Sequence, residues 1–273
     1  MKFLYYCTQN AADCVILLDM HTGVLHAPKA MLFDMDGTLL ISTQRSDQSW
    51  QQVCFQFSSH LGIPAEDLVR ALRESIAAYR KDIEGDAEKQ RRDRLDPFAV
   101  RTETVYAALT YFGKGDAALA AEMIRAYELL RDEYLEPVPH ALETLEMLRA
   151  RKKRLGLLTN GNATYQRRKI ERHHLAPFFD CILIEEEFGV AKPDPRIYLA
   201  ALEQLQITPR EAWMVGDNLT LDVGAPQQLG IGGIWFDPAR RGLPEETSVH
   251  PDHIIHTLPE LLDLDEEEAT LPN

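Results

Sequence analysis

The 273-residue chain is poor in cysteine, short of basic residues and free of long apolar runs, and each shortage removes a class of function. Its four cysteines, Cys7, Cys14, Cys54 and Cys181, have neither metal-ligand spacing nor the density of a disulfide framework, so a zinc module and a stapled secreted scaffold are set aside and a reducing cytoplasm is expected. Lysine and arginine total 29 against 43 acids, a net charge of −14. Binding nucleic acid requires clustered cations to neutralise phosphates, so no such partner is expected. The two basic runs, Lys89-Gln90-Arg91-Arg92 and Arg149-Ala150-Arg151-Lys152-Lys153-Arg154, read as solvated surface. The second falls at a predicted helix C-terminus, where cations are favoured. No stretch of eighteen apolar residues occurs, which excludes a membrane helix and a membrane partner. Internal repeats are absent.

What is present is a set of short apolar runs, each ending in chemistry-bearing residues. Ala30-Met31-Leu32-Phe33 has the pattern of a covered parallel strand and leads into Asp34-Met35-Asp36-Gly37-Thr38. Open α/β sheets bind ligands beyond the carboxyl ends of such strands, and a turn at Gly37 brings both carboxylates around one cleft. Three further segments follow in order. Leu155-Gly156-Leu157-Leu158 leads to Thr159-Asn160-Gly161, a hydroxyl, an amide and a glycine that lets backbone N–H groups approach an anion. Gly189-Val190-Ala191-Lys192-Pro193 places a lysine before a helix. Ala212-Trp213-Met214-Val215 leads to Gly216-Asp217-Asn218-Leu219-Thr220-Leu221-Asp222. Singly these are a turn, a threonine cap, a solvated lysine and an acidic helix start; together they are not coincidence.

The four segments, spread over Lys29 to Leu262, resemble the haloacid dehalogenase (HAD) superfamily. The resemblance implies Asp34 as nucleophile, Asp36 as general acid/base, and Thr159, Asn160, Lys192 and Gly37 as phosphate-binding positions. Asp34, Asp217 and the backbone carbonyl of Asp36 would hold Mg²⁺, with Asp222 and Asn218 beside them. The activity implied is Mg²⁺-dependent hydrolysis of a small phosphorylated metabolite through an aspartyl-phosphate. A phosphate dianion repels a carboxylate unless cations neutralise its oxygens, which a magnesium ion and a lysine do together. Neighbouring carboxylates repel, so the metal-bound Asp34 is expected to stay ionised while Asp36 takes the proton. A phosphomutase or dehalogenase of the same superfamily and a non-catalytic binding protein remain as alternatives. A dehalogenase needs no proton donor for its departing halide, so Asp36 argues against it. Thr159-Asn160-Gly161-Asn162 followed by Gln166-Arg167-Arg168-Lys169-Ile170-Glu171 looks most like the branch of pyrimidine nucleotidases, flavin mononucleotide phosphatases and N-acylneuraminate-9-phosphatases.

The fold expected is α/β: a Rossmann-like parallel sheet covered by helices on both faces, formed by residues 29–43 and 136–262, with a smaller all-α cap inserted at 44–135. About 120 residues separate the first two motifs, far more than one crossover needs. Within them Trp50, Val53, Cys54, Phe57 and Leu61, then Leu68, Leu72, Ile76 and Tyr79, recur at helical spacing. Further helices are expected over 102–112 and 117–135. Arg91, Arg92, Arg94 and Arg101 read as exposed helix arginines, the alternative being contact with a substrate anion. Glu136-Pro137-Val138-Pro139 reads as a stiff hinge linker. Strands are expected at 155–158, 181–184, 213–215 and 233–236. Residues 1–28 form either an extra hairpin turning at His21-Thr22-Gly23 or an extension upstream of the core, with flanking Asp13 and Asp19 arguing against a signal peptide. Residues 263–273 read as a disordered acidic tail. A monomer or homodimer is expected.

Overall fold

The computed structural model describes residues 27–270, with side chains to residue 266; the alternatives for residues 1–26 lie outside the described residues. In chain order the elements are β1 (Ala30–Phe33), β2 (Leu40–Ser42), α1 (Ser46–Leu61), α2 (Ala65–Ile83), α3 (Ala87–Leu95), α4 (Pro97–Tyr111), α5 (Ala117–Glu133) and β3 (Leu135–Pro137). There follow α6 (Ala141–Ala150), β4 (Arg154–Thr159), α7 (Ala163–Arg172), β5 (Cys181–Ile184), α8 (Glu185–Phe188), α9 (Pro195–Leu205), β6 (Ala212–Gly216), α10 (Ala225–Gln227), β7 (Gly232–Phe236), β8 (His253–Ile255) and α11 (Glu260–Thr270).

Six strands make one parallel sheet in the order β5-β4-β1-β6-β7-β8. The apolar runs become its strands because both faces are covered, which makes a continuous hydrophobic sequence necessary. Along β1 the side chains divide between two cores. Met31 and Phe33 pack with Leu155, Leu157, Trp213 and Val215, while Ala30 and Leu32 pack with Leu158, Met214, Ile197 and Tyr198. The chain crosses from β1 to β4 on one side and reaches β6 on the other, so a crevice opens beyond the carboxyl end of β1. That is where the four motifs end.

A third core belongs to the inserted helices. Trp50, Val53, Cys54, Phe57 and Leu61 of α1 meet Leu68 and Leu72 of α2, Val105 and Leu109 of α4, and Met123, Ile124 and Tyr127 of α5. The stripe of α2 fades toward its C-terminus, where Ile76 is only partly buried against this core. The basic run at Lys89 proves to lie in a helix, α3, which has no buried residue and is started by Asp86 accepting from the N–H groups of Glu88 and Lys89. The expected linker at Glu136 is instead half of an antiparallel ribbon, with Leu40, Ile41 and Ser42 facing Pro137, Glu136 and Leu135. Both passages between sheet and helical unit run through that ribbon.

Two charge readings need correction. The acidic tail is helical over α11, and Asp265 is 4% exposed. It pairs with Arg151 and Lys153 of the basic run taken for solvated surface, while Glu266 pairs with Arg151 and Asp180 pairs with Arg149 and Arg154. Opposite runs whose pairs span 112 to 115 residues of sequence neutralise one another, which removes the self-repulsion that favours a disordered acidic tail. No helix among the described residues is long and apolar enough to cross a membrane. Cys54 and Cys181 are buried free thiols.

Candidate active site

The loop after β1 is a tight turn. The N–H of Asp34 continues the ladder to Val215 O at 3.0 Å, then Leu39 and Leu40 N–H both return to Met35 O and Gly37 N–H donates to Leu40 O. Gly37 sits at φ +94°, and a Cβ there would lie 2.6 Å from Asp217 Oδ2. Glycine is therefore needed for conformation and for the space in front of Asp217. Thr38 links the two acids: its hydroxyl donates to Asp34 Oδ2 at 3.3 Å and accepts from Asp217 N–H at 3.1 Å. Trp235 Nε1 donates to the Asp217 carbonyl, fixing the loop after β6.

Around this turn a cavity of about 210 Å³ is lined by Asp34, Asp36, Thr159, Asn160, Lys192, Asp217, Asn218, Leu221 and Asp222. The sequence had singled out all of these but Leu221. Lys192 among them is buried, with its ammonium 2.7 Å from Asp34 Oδ1 and 2.7 Å from Asp222 Oδ1. One carboxylate oxygen from each of Asp34, Asp217 and Asp222 falls within 4.8 Å of the others. Three hard oxygen donors opening on a cleft, with a glycine leaving the adjoining space free, are a donor set that suits a small divalent cation.

The side chains of Asn160 and Asn218 do structural work. Asn160 Nδ2 donates to Lys192 O at 2.9 Å and its Oδ1 accepts Lys192 N–H at 2.8 Å, so the amide holds the lysine's backbone. Asn218 Oδ1 caps the turn at Thr220 and Leu221, and Asn218 N–H donates to Asp222 Oδ2. Thr159 closes β4 at 1% exposure, its hydroxyl 2.6 Å from Gln166 Nε2.

Asp36 turns away from the acid cluster. Its carboxylate takes Lys169 Nζ at 2.7 and 2.8 Å and Gln166 Nε2 at 2.8 Å. Gln166 and Lys169 stand three residues apart on one face of α7. Neither was proposed as a site residue, and that spacing after the Asn162 cap was the available signal.

Among the side chains alone, the electrostatics set the acids apart. Burial, against the pull of Lys192 and with Asp222 adding repulsion, raises Asp34 to about 7. Desolvation and the Asp34 charge raise Asp217 to about 6, although the residue is exposed, and Asp222 is also raised, by burial. Asp36 moves the other way: although desolvation opposes it, the Lys169 ammonium holds its carboxyl below the ordinary value. Between these side chains alone, Asp36 is the ionised partner, because a lysine missed in the sequence sits on it.

Arg94, read as an exposed helix arginine, instead pairs with Glu185, which was not singled out. The guanidinium of Arg94, at the end of α3, takes the nearly fully buried Glu185 carboxylate in a fork at 2.9 and 3.0 Å, and Glu185 also accepts Gly161 N–H at 2.9 Å. The cap thus touches the loop that follows β4.

A family model described as haloacid dehalogenase-like hydrolase matches residues 28–230. The chain is 30% identical over 243 residues to a glyceraldehyde 3-phosphate phosphatase of Pyrococcus furiosus, covering 88% of this chain and 94% of the relative. It is 35% identical over 130 residues to a pyrimidine 5'-nucleotidase of Escherichia coli, 47% of this chain and 56% of that one. Among solved structures, a 2-haloacid dehalogenase from Pseudomonas syringae superimposes with a TM-score of 0.60 at 27% identity, covering 87% of this chain and 99% of the other. With its motifs assembled at the carboxyl edge of one parallel sheet, the chain belongs to the haloacid dehalogenase-like hydrolases.

Proposed function

We propose that the protein is a Mg²⁺-dependent phosphomonoesterase of the cytoplasm that acts on a small phosphorylated metabolite through a phosphorylated Asp34. The observation that carries this reading is the cleft beyond β1, where Asp34, Lys192, Asp217 and Asp222 converge and Asp36 stands two residues from the nucleophile. Similarity to phosphatases of P. furiosus and E. coli supports the reaction class, and their different substrates leave this chain's substrate open. The buried free thiols support the compartment.

Asp34, Asp217 and Asp222 are the side chains that would hold Mg²⁺, which when bound would neutralise phosphate charge and draw the raised carboxylates back to their ionised forms. Lys192 is aimed at the same point, already bridging Asp34 and Asp222. In the reaction a carboxylate oxygen of Asp34 attacks phosphorus, the bond to the ester oxygen breaks, and the departing alkoxide takes a proton from Asp36. Water then attacks the acyl phosphate with Asp36 as base. The Lys169 contact favours the base form, so Asp36 acts first as acid only after taking a proton against that lysine. Thr159 and Lys192 line the face available to the phosphate oxygens.

A dehalogenase reading has the structural likeness in its favour. Against it stands Asp36, held by two α7 side chains at the cleft, an acid that halide departure does not use. The test is phosphate release by the purified protein with Mg²⁺ across nucleotides, sugar phosphates and cofactor phosphates, beside chloride release from 2-chloropropionate. Hydrolysis of at least one phosphomonoester and its loss to background in Asp34→Asn are expected. Chloride release without phosphate release, or an active Asp34→Asn, overturns the reading.

A further inference from the structure

Where α4 and α5 approach α7, two arginines share one aromatic ring. Arg101 Cζ and Arg131 Cζ each lie 5.9 Å from the centroid of Tyr127. That ring is itself fixed, stacked on Trp50 at 3.9 Å and 9° and hydrogen-bonded through its hydroxyl to Ser46 Oγ at 2.8 Å. Arg101 reaches Glu128 Oε1 only at 3.5 Å, and the same oxygen is taken by the hydroxyl of Tyr165. Arg131 has no ion-pair partner among the described residues. Nearby, Arg168 is matched by Asp132 and Lys169 by Asp36. Four cations therefore face three carboxylates, in a protein whose net charge is −14. Burial and the neighbouring Arg131 charge both push the Arg101 guanidinium below its ordinary value, against the opposing pull of Tyr127, Glu128 and Tyr165.

The position of this pair relative to the cleft follows from α7. Gln166 binds Asp36 and Thr159, while its neighbour Tyr165 binds Glu128 beside Arg101. Arg131 acts electrostatically on Asp36. Asp36 is the acid that would meet the leaving group, and the arginines lie on its α7 side, beside the cleft and outside its lining. We propose that Arg101 and Arg131 receive a second anionic group of the substrate, a carboxylate or a second phosphate at the far end of the leaving group, with Tyr127 as their platform. Guanidinium forks match both anions geometrically, and an anion placed between them replaces repulsion with two charge-assisted contacts. The inference rests on the phosphomonoesterase reading and deepens it.

The experiment compares three substrates with the full chain and Mg²⁺: propyl phosphate, 3-phosphonooxypropanoate and propane-1,3-diyl bisphosphate. The wild type is expected to favour at least one of the two anionic compounds by about ten- to a hundredfold in kcat/KM, mostly through KM. The better of the two identifies the group as carboxylate or phosphate. Arg131→Gln is expected to cut that preference about tenfold or more, and Arg131→Lys to restore part of it. Hydrolysis of propyl phosphate as efficient as that of both others overturns the inference and leaves the phosphomonoesterase reading intact. A preference unchanged in a folded Arg131→Gln also overturns it. Release of phosphate from none of the three by a protein that hydrolyses other phosphomonoesters overturns the inference alone, and release from no phosphomonoester at all defeats both readings. The wild-type comparison decides the matter even where a variant fails to fold.

Discussion

At the carboxyl edge of the sheet, charges are buried and shared; over most of the cap they are exposed and paired off. Lys192 is 2% exposed and bridges Asp34 and Asp222, whereas Arg92 and Glu103 on the cap are 51% and 58% exposed. Surface pairs of the second kind contribute about 0–1 kcal/mol, while breaking a buried pair by removing one partner costs about 3–5 kcal/mol. Chemistry and stability are therefore tied together at the sheet and separable in the cap, so the cap is free to vary with the substrate while the sheet edge is not.

The largest effect should follow from breaking the buried network. Lys192→Met keeps the length of the side chain and leaves two buried carboxylates without their cation. Turnover should fall to background and Tm should drop on the order of 10 °C, from that loss spread over a domain of this size. Thermal unfolding and phosphate release measure the two. A variant with wild-type Tm would mean that Asp34 and Asp222 release their charge without cost, and the contrast with the cap would fail.

Next in size is a pH effect that the cap should not show. Folded-state values of about 7 for Asp34 and about 6 for Asp217 lie above the ordinary 3.8, so between about pH 4 and 7 the folded protein binds more protons than the unfolded one. Stability contributed by these groups then falls as pH rises through that window. In chelator, Tm should decline from pH 5 to 7.5. Excess Mg²⁺ should flatten the decline by pairing with the ionised forms. Asp217→Asn should also reduce it, raising Tm at pH 7.5 in chelator while abolishing activity. A Tm that climbs over this range in chelator, or a slope indifferent to both Mg²⁺ and Asp217→Asn, would show that the acid cluster carries no such strain.

A third, smaller effect concerns the space in front of Asp217. Gly37→Ala adds one methyl carbon at φ +94°, 2.6 Å from the Asp217 carboxylate. The backbone strain costs about 1–2 kcal/mol, and the displaced carboxylate should weaken Mg²⁺. The half-saturating Mg²⁺ concentration should rise about tenfold or more. An unchanged metal requirement would place the metal away from Asp217.

How much of this was legible differs between the same two regions. The strands at 155–158, 181–184, 213–215 and 233–236 showed themselves because a sheet covered on both faces demands unbroken apolar runs, and the polar residues just beyond their ends broke that pattern. The cap was legible only as stripes such as Trp50 to Leu61, since a helix announces what it buries and not what its polar face meets. Lys169 was visible as a letter, but its contact with Asp36, 133 residues away, depends on the angle at which α7 leaves β4. The salt bridges of Asp265 to Arg151 and Lys153 were hidden for the same reason: complementary charge runs state that pairing is favourable, not that α11 will carry one to the other. The turn at Gly37 was local and so was legible as the place of the cleft, while the turning of Asp36 toward Lys169 was not.

The smallest effect tests where the two regions meet. Arg94 is 35% exposed, but its partner Glu185 is 2% exposed, so this pair is a surface bond at one end and a core bond at the other. Its fork, together with Asn162 Nδ2 donating to Leu95 O at 2.8 Å, fastens the end of α3 to the loop that carries Thr159 and Gly161. Arg94→Ala leaves Glu185 with the Gly161 N–H as its remaining donor, which should cost about 1–2 kcal/mol. KM should rise severalfold as the cap loses a closing contact, with kcat affected less. Arg92→Ala, which removes the equally short fork to Glu103, is the control and should cost under about 0.5 kcal/mol with no change in KM. Equal losses from the two alanine variants, measured by denaturant titration, would show that burial of one partner does not distinguish them. The fork to Glu185 would then be one more surface pair, and cap closure would depend on the β2–β3 ribbon and the remaining contacts to α7 and its N-cap residue.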